Sequence, residues 1–99
     1  MIHTFLLVDK PDSGALRQRI RPEHKAYLAA VANRIAFAGP LVTDDGQTML
    51  GSLLAIDFES RDAAHAWLAD EPFTRAGLYA STCIYAFVNL WPQKTGFPA

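Results

Sequence analysis

Apolar residues fall into four short blocks of strand character and two stretches of helical spacing, with turn formers between them. Ile2 to Val8 is apolar and rich in β-branched residues, and it stops at Asp9-Lys10-Pro11-Asp12-Ser13-Gly14, which predicts a first strand. After a polar stretch holding Arg17, Arg19 and Arg21, Pro22 suits the first position of a helix. Leu28, Val31 and Ile35 then recur at helical spacing until Gly39-Pro40. Leu41 to Thr43 and Met49 to Phe58 read as two strands joined through Asp44-Asp45-Gly46. Ser60 is a good N-cap for a second helix from Arg61 to about Asp70, whose apolar face is Ala63, Ala64, Trp67 and Leu68 and which Pro72 stops. Thr82 to Trp91 has strand composition, and Pro92, Gly96 and Pro98 mark a loose tail over 93–99.

The resulting order is β-α-β-β-α-β. Short, right-handed connections fold it most simply into a ferredoxin-like α+β domain, an antiparallel sheet with both helices on one face. In the first strand Ile2, Leu6 and Val8 point opposite to Phe5 and Leu7; in the last, Ile84, Val88 and Leu90 oppose Tyr85, Phe87 and Trp91. Both faces of the sheet are therefore apolar, and the face without helices is expected to pack on a second copy in a homodimer.

Composition narrows the classes. A chain of 99 residues holds one core, hence one domain. A hydrophobic fraction of 51%, a charged fraction of 19% and a formal net charge of -1 describe a folded globular protein and argue against a dedicated nucleic-acid or anionic-membrane binder. No apolar run approaches the roughly 18 residues of a membrane span, and Met1 to Val8 is too short for a signal sequence. The single cysteine, Cys83, forms no internal disulfide and fits a reducing cytoplasm.

Among residues able to carry chemistry, His24 stands out because it precedes Leu28, Val31 and Ile35 at helical intervals and so lies on a buried stripe. At a helix start the dipole favours neutral imidazole and a neighbouring carboxylate opposes that, a balance that suits a general base. The alternative is a histidine that fills space beneath the first turn and bonds to backbone. The predicted topology brings Asp9, Arg17, Arg19, Arg21, His24, Asp44, Asp45, Asp70 and Glu71 to one end of the domain, the expected mouth of a pocket, although a charge-rich rim is also what a solvated loop end looks like. Asp70 falls on the inward side of its helix, three residues after Trp67, whereas Glu71 precedes Pro72 and is biased out of the helix into a short turn. Either acid can orient His24, and spacing does not choose between them. His3 and His65 have no metal-ligand spacing, so neither a metal nor a cofactor is implied, and no serine stands in a G-x-S-x-G context. Phe73, Tyr79, Trp67 and Trp91 are apolar candidates for a pocket wall or for the core.

Arg21-Pro22-Glu23-His24, Ala38-Gly39-Pro40-Leu41, Gly51-Ser52 and Glu71-Pro72-Phe73 with Ala76-Gly77-Leu78 occur in the order of the landmarks of the YCII-like family, which the chain resembles across nearly its whole length. The resemblance implies a dimeric ferredoxin-like fold and a pocket centred on a histidine and an acid. The histidine maps to His24. The family's acid stands directly before the Pro-aromatic pair as aspartate; Glu71 holds that place here, with Asp70 one residue earlier. An enzyme similar to this family dehydrochlorinates a chlorinated aromatic, and a similar dimeric fold occurs in muconolactone isomerase.

Two functions follow from these readings. One is a small-molecule enzyme in which His24 moves a proton, Asp70 or Glu71 orients it, and Arg21, Ser52 and Phe73 contact the substrate, with elimination or isomerisation of a cyclic or aromatic compound as the chemistry. The other is a non-catalytic dimeric module that binds a metabolite or a protein.

Overall fold

A computed structural model describes residues 1–95. Four strands, β1 (Ile2–Asp9), β2 (Ile35–Val42), β3 (Met49–Asp57) and β4 (Tyr79–Phe87), form one antiparallel sheet in the order β2-β3-β1-β4. Helix α1 (Gly14–Ala29) connects β1 to β2 through a short 3-10 turn. Helix α2 (Arg61–Ala69) and the single turn α3 (Pro72–Arg75) connect β3 to β4. This is the ferredoxin-like arrangement that the pattern predicts. No helix among the described residues is long and apolar enough to cross a membrane. Of the tail expected over 93–99, residues 96–99 lie outside the described residues.

Burial along β1 alternates, with His3, Phe5 and Leu7 inward and Leu6 and Val8 exposed. Phe5 and Leu7 join Leu54 and Ile56 of β3, Ile84 of β4 and Ala64 and Leu68 of α2 in the core, where each covered Leu, Ile or Phe side chain contributes about 1.5–3 kcal/mol. Ser60 caps α2 as expected, accepting from the Ala63 N–H at 3.1 Å. Gly51 has a steric reason: a Cβ there would lie 2.1 Å from the Leu7 carbonyl oxygen, so β1 and β3 close together only over a bare Cα.

Three boundaries differ from the sequence expectation. Helix α1 begins at Gly14, not Pro22. Pro22 lies inside it and offers no N–H to the Gln18 carbonyl; both residues are on the exposed side, where that carbonyl is open to solvent. Nor does the helix reach Gly39-Pro40. It ends at Ala29, and Ile35 to Val42 is the edge strand β2, a place where proline is tolerated because one side of the strand needs no ladder partner. Strand β4 runs from Tyr79 to Phe87 instead of Thr82 to Trp91: among the described residues its one neighbour is β1, which begins at Ile2 opposite Phe87, so the pairing stops there.

Candidate functional site

Because α1 starts early, His24 sits near its middle and its buried stripe begins a further two turns back, at Arg17. The expected influence of the helix N-terminus on His24 is therefore absent, since that field fades within the first turn. Arg17 is almost wholly buried. Its Nε donates to Asp9 Oδ2 at 2.6 Å and its Nη2 to Asp9 Oδ1 at 3.0 Å, a bidentate pair, and Nη2 also donates to Ser52 Oγ at 3.1 Å. The pair locks the start of α1 to the end of β1 and to the middle of β3.

The partner of His24 comes from the other helical connection. Helix α2 ends at Ala69, and Asp70 closes it exposed to solvent. Glu71 then takes an extended backbone, as the residue before a proline does, and becomes the N-cap of α3 with Pro72 at the first helical position. Its carboxylate is completely buried and only accepts: Oε1 from the Phe73 N–H at 3.1 Å and, in a short hydrogen bond, from His24 Nδ1–H; Oε2 from the Tyr79 hydroxyl at 3.0 Å. The proton on Nδ1 is thereby placed, and Nε2 is the ring nitrogen left for a ligand. Burial, and after it the negative charge of Glu71, pushes the Tyr79 hydroxyl well above its ordinary range, so it stays a donor. Burial and then the charges of Asp70 and Glu71 also raise Tyr27, whose hydroxyl donates to the Trp67 carbonyl at 2.8 Å.

Phe73 packs between the two stripe residues of α1. Its ring is stacked on His24, with centroids 4.1 Å apart and planes 19° apart, and the Arg17 guanidinium carbon lies 4.6 Å from its centroid. Two turns of helix, roughly 10 Å, separate the two residues, which leaves room for one ring between them. A Schellman motif ends α3: Leu78 N–H donates to the Phe73 carbonyl, Gly77 N–H to that of Thr74, and Gly77 takes the left-handed φ of 76°.

Beneath α1 lies a cavity of about 200 Å³. Its sheet side is made by Ala38 and Pro40 of β2 and their register partners Leu54 and Ser52 of β3, and the small side chains among them leave space below the helix. Its helix side is Arg17, Arg21, His24, Lys25 and Leu28. Of the residues singled out in the sequence, His24, Glu71, Arg21 and Ser52 come together here, with Glu71 behind His24 and Ser52 on the floor. Phe73 backs the histidine and does not line the cavity, and Asp70 lies exposed with no bond to His24. Arg17 is expected from the sequence among the charges at this end of the domain, but not on the buried stripe, since the helix is read there as starting at Pro22; a start at Gly14 places it seven residues, two turns, before His24 on the same face.

Comparison with known proteins agrees with this fold. Protein YciI from Escherichia coli is 32% identical over 98 residues, covering 92% of this chain and all of that protein. An uncharacterized protein from Haemophilus influenzae is 30% identical over the same length, with 92% of this chain covered. Among solved structures, the 5-chloro-2-hydroxyhydroquinone dehydrochlorinase of Burkholderia phenoliruptrix, in complex with 2,5-dihydroxybenzoquinone, superposes with a TM-score of 0.84 at 32% identity, over 89% of this chain and 94% of the other. With residues 1–88 matching the YCII-related domain as well, the chain belongs to the YCII-related domain family.

Proposed function

We propose that the protein is a small-molecule enzyme that uses His24 as its acid-base group, with Glu71 as the residue that holds it, in an elimination or isomerisation of a cyclic compound. The observation that carries this reading is a histidine on the wall of a cavity whose Nδ1–H is bonded to a fully buried carboxylate. A substrate proton moves to Nε2, the Glu71 carboxylate balances the imidazolium that forms, and either a leaving group departs as an anion or the proton returns at another atom. Neither course needs an external oxidant or reductant. The dehydrochlorinase relative supports the elimination branch, and Arg21 and Ser52 are the substrate-contacting positions. The enzyme is read as a cytoplasmic homodimer, the second copy covering the open face of the sheet, where Leu6, Val8 and Tyr85 are exposed.

The test is chloride release from 5-chloro-2-hydroxyhydroquinone, followed by a wider set of cyclic hydroxylated compounds, with wild type beside His24→Ala. Turnover by wild type and its loss in a folded His24→Ala protein is the expected result. Equal turnover by both removes the base. Binding without turnover, merely weakened by the substitution, favours a non-catalytic binding module.

A further inference from the structure

The cavity under α1 is graded both in exposure and in charge. Its inner part, Arg17, His24, Ser52 and Leu54, is buried, and the charge of Arg17 is already matched by Asp9. Its outer part is Lys25 with the exposed edge of β2, and Arg21 stands half-buried between the two. Arg21 and Lys25 are four residues apart on one helix face, a like-charge spacing that is unfavourable in a helix. No aspartate or glutamate lines the cavity, and neither cation has a carboxylate partner among the described residues; Glu23 lies between them in sequence and so on another face of α1. The fold thus keeps two unmatched positive charges at the opening of a recess whose walls include Leu28, Pro40 and Leu54.

Size limits the occupant. A cavity of about 150 Å³ is enough for benzene, so about 200 Å³ holds one six-membered ring with small substituents. We infer that the site selects a single-ring compound bearing an anionic oxygen group, with the ring over the apolar wall near His24 and the anion at the opening between Arg21 and Lys25. Lys25 is the new element, acting with Arg21 as a charge-selecting pair. This rests on the enzymatic reading above and names its substrate class.

The experiment is a titration of the folded protein with benzoate and with benzamide, a neutral match of the same size, followed through the His24 imidazole resonances at low and high salt. Benzoate is expected to bind at least about tenfold more tightly, the equivalent of about 1.4 kcal/mol, with the preference shrinking as salt rises. The doubly substituted Arg21→Ala, Lys25→Ala protein, altered only at accessible positions of α1, is expected to bind the two probes alike. His24→Ala, followed through backbone amide resonances at the cavity wall, is expected to keep the preference. Its loss of turnover tests the enzymatic reading, whereas the doubly substituted protein tests the charged opening. Equal binding of both probes by wild type, or an undiminished preference after the double substitution, overturns the inference; the second outcome would move anion selection to Arg17.

Discussion

The Tyr79 hydroxyl donates to Glu71 Oε2 at 3.0 Å from a position that regular alternation would place on the opposite face of the sheet. Ser81, Cys83 and Tyr85 pair with Val8, Leu6 and Thr4 on the open face, and Tyr79 would follow them. A bulge intervenes: Val8 pairs with Ser81 but Asp9 with Tyr79, so one extra residue turns the tyrosine to the helix side. A backbone irregularity in β4 therefore completes the hydrogen-bond shell of the buried acid.

Tyr79→Phe is expected to lower stability by about 1.5–3 kcal/mol, the range for a hydrogen bond to a charged group, visible in thermal unfolding. The pH dependence has a definite sign. An unfolded tyrosine ionises near 10.0, and the native Tyr79 is raised above that. Its stabilising contribution is therefore intact below about pH 10 and is lost as pH rises from there towards the native value. Chemical denaturation across the alkaline range should show a steeper loss for wild type than for Tyr79→Phe; parallel curves would contradict the assignment.

The two acids separate cleanly by substitution. Glu71→Gln keeps the shape but removes the charge that receives His24, and turnover should fall by at least about a hundredfold, with about 1–3 kcal/mol of stability. Asp70→Asn, at an exposed position, should change stability by less than about 0.5 kcal/mol and leave turnover as it was. Steady-state rates and denaturant midpoints for the pair decide it, and a larger effect at Asp70 would reverse the roles.

Gly51→Ala should destabilise by about 3 kcal/mol, because its Cβ meets a backbone oxygen that neither strand can move without giving up ladder bonds. Ser52, next along β3, accepts from Arg17, so the same substitution should also weaken ligand binding at the cavity floor. Calorimetry and a binding titration of the variant read both effects.

If a second copy covers the open face, Leu6→Glu places an ionised group in that contact. The protein should sediment as a monomer where wild type sediments as a dimer, because an unpaired charge in an apolar interface is strongly disfavoured. A wild-type monomer at micromolar concentration would remove the homodimer.

The architecture was legible where local pattern and tertiary context agree. The alternation through Phe5 and Leu7 and the Ser60 cap both signal their elements, and both elements are there. Pro22 and Gly39-Pro40 mislead because a proline reads as an end when only its neighbours are known. Whether it ends anything depends on the rest of the fold: Pro22 lies within α1 on its exposed side, at a cost the helix's tertiary contacts must offset, and Pro40 lies on an edge strand, where proline is tolerated. His24 was visible from its stripe. The choice of Glu71 over Asp70 was not, since it depends on the chain turning at Pro72 so that the later carboxylate points inward. Arg17 was visible as a charge at this end of the domain, but its burial on the His24 stripe was not, because that depends on the helix starting at Gly14; Tyr79 could not be linked to Glu71 because a bulge has no spacing signature.

Glu71 and Phe73 flank a single proline on a turn of four residues, so the acid that holds His24 and the ring stacked on it are carried by one small piece of backbone. Local opening of that turn withdraws both together, and assembly of the histidine becomes one event with one equilibrium constant. The Phe73 amide, bonded to Glu71 Oε1, is its built-in gauge: the rate at which that single proton exchanges with solvent measures how often the site comes apart.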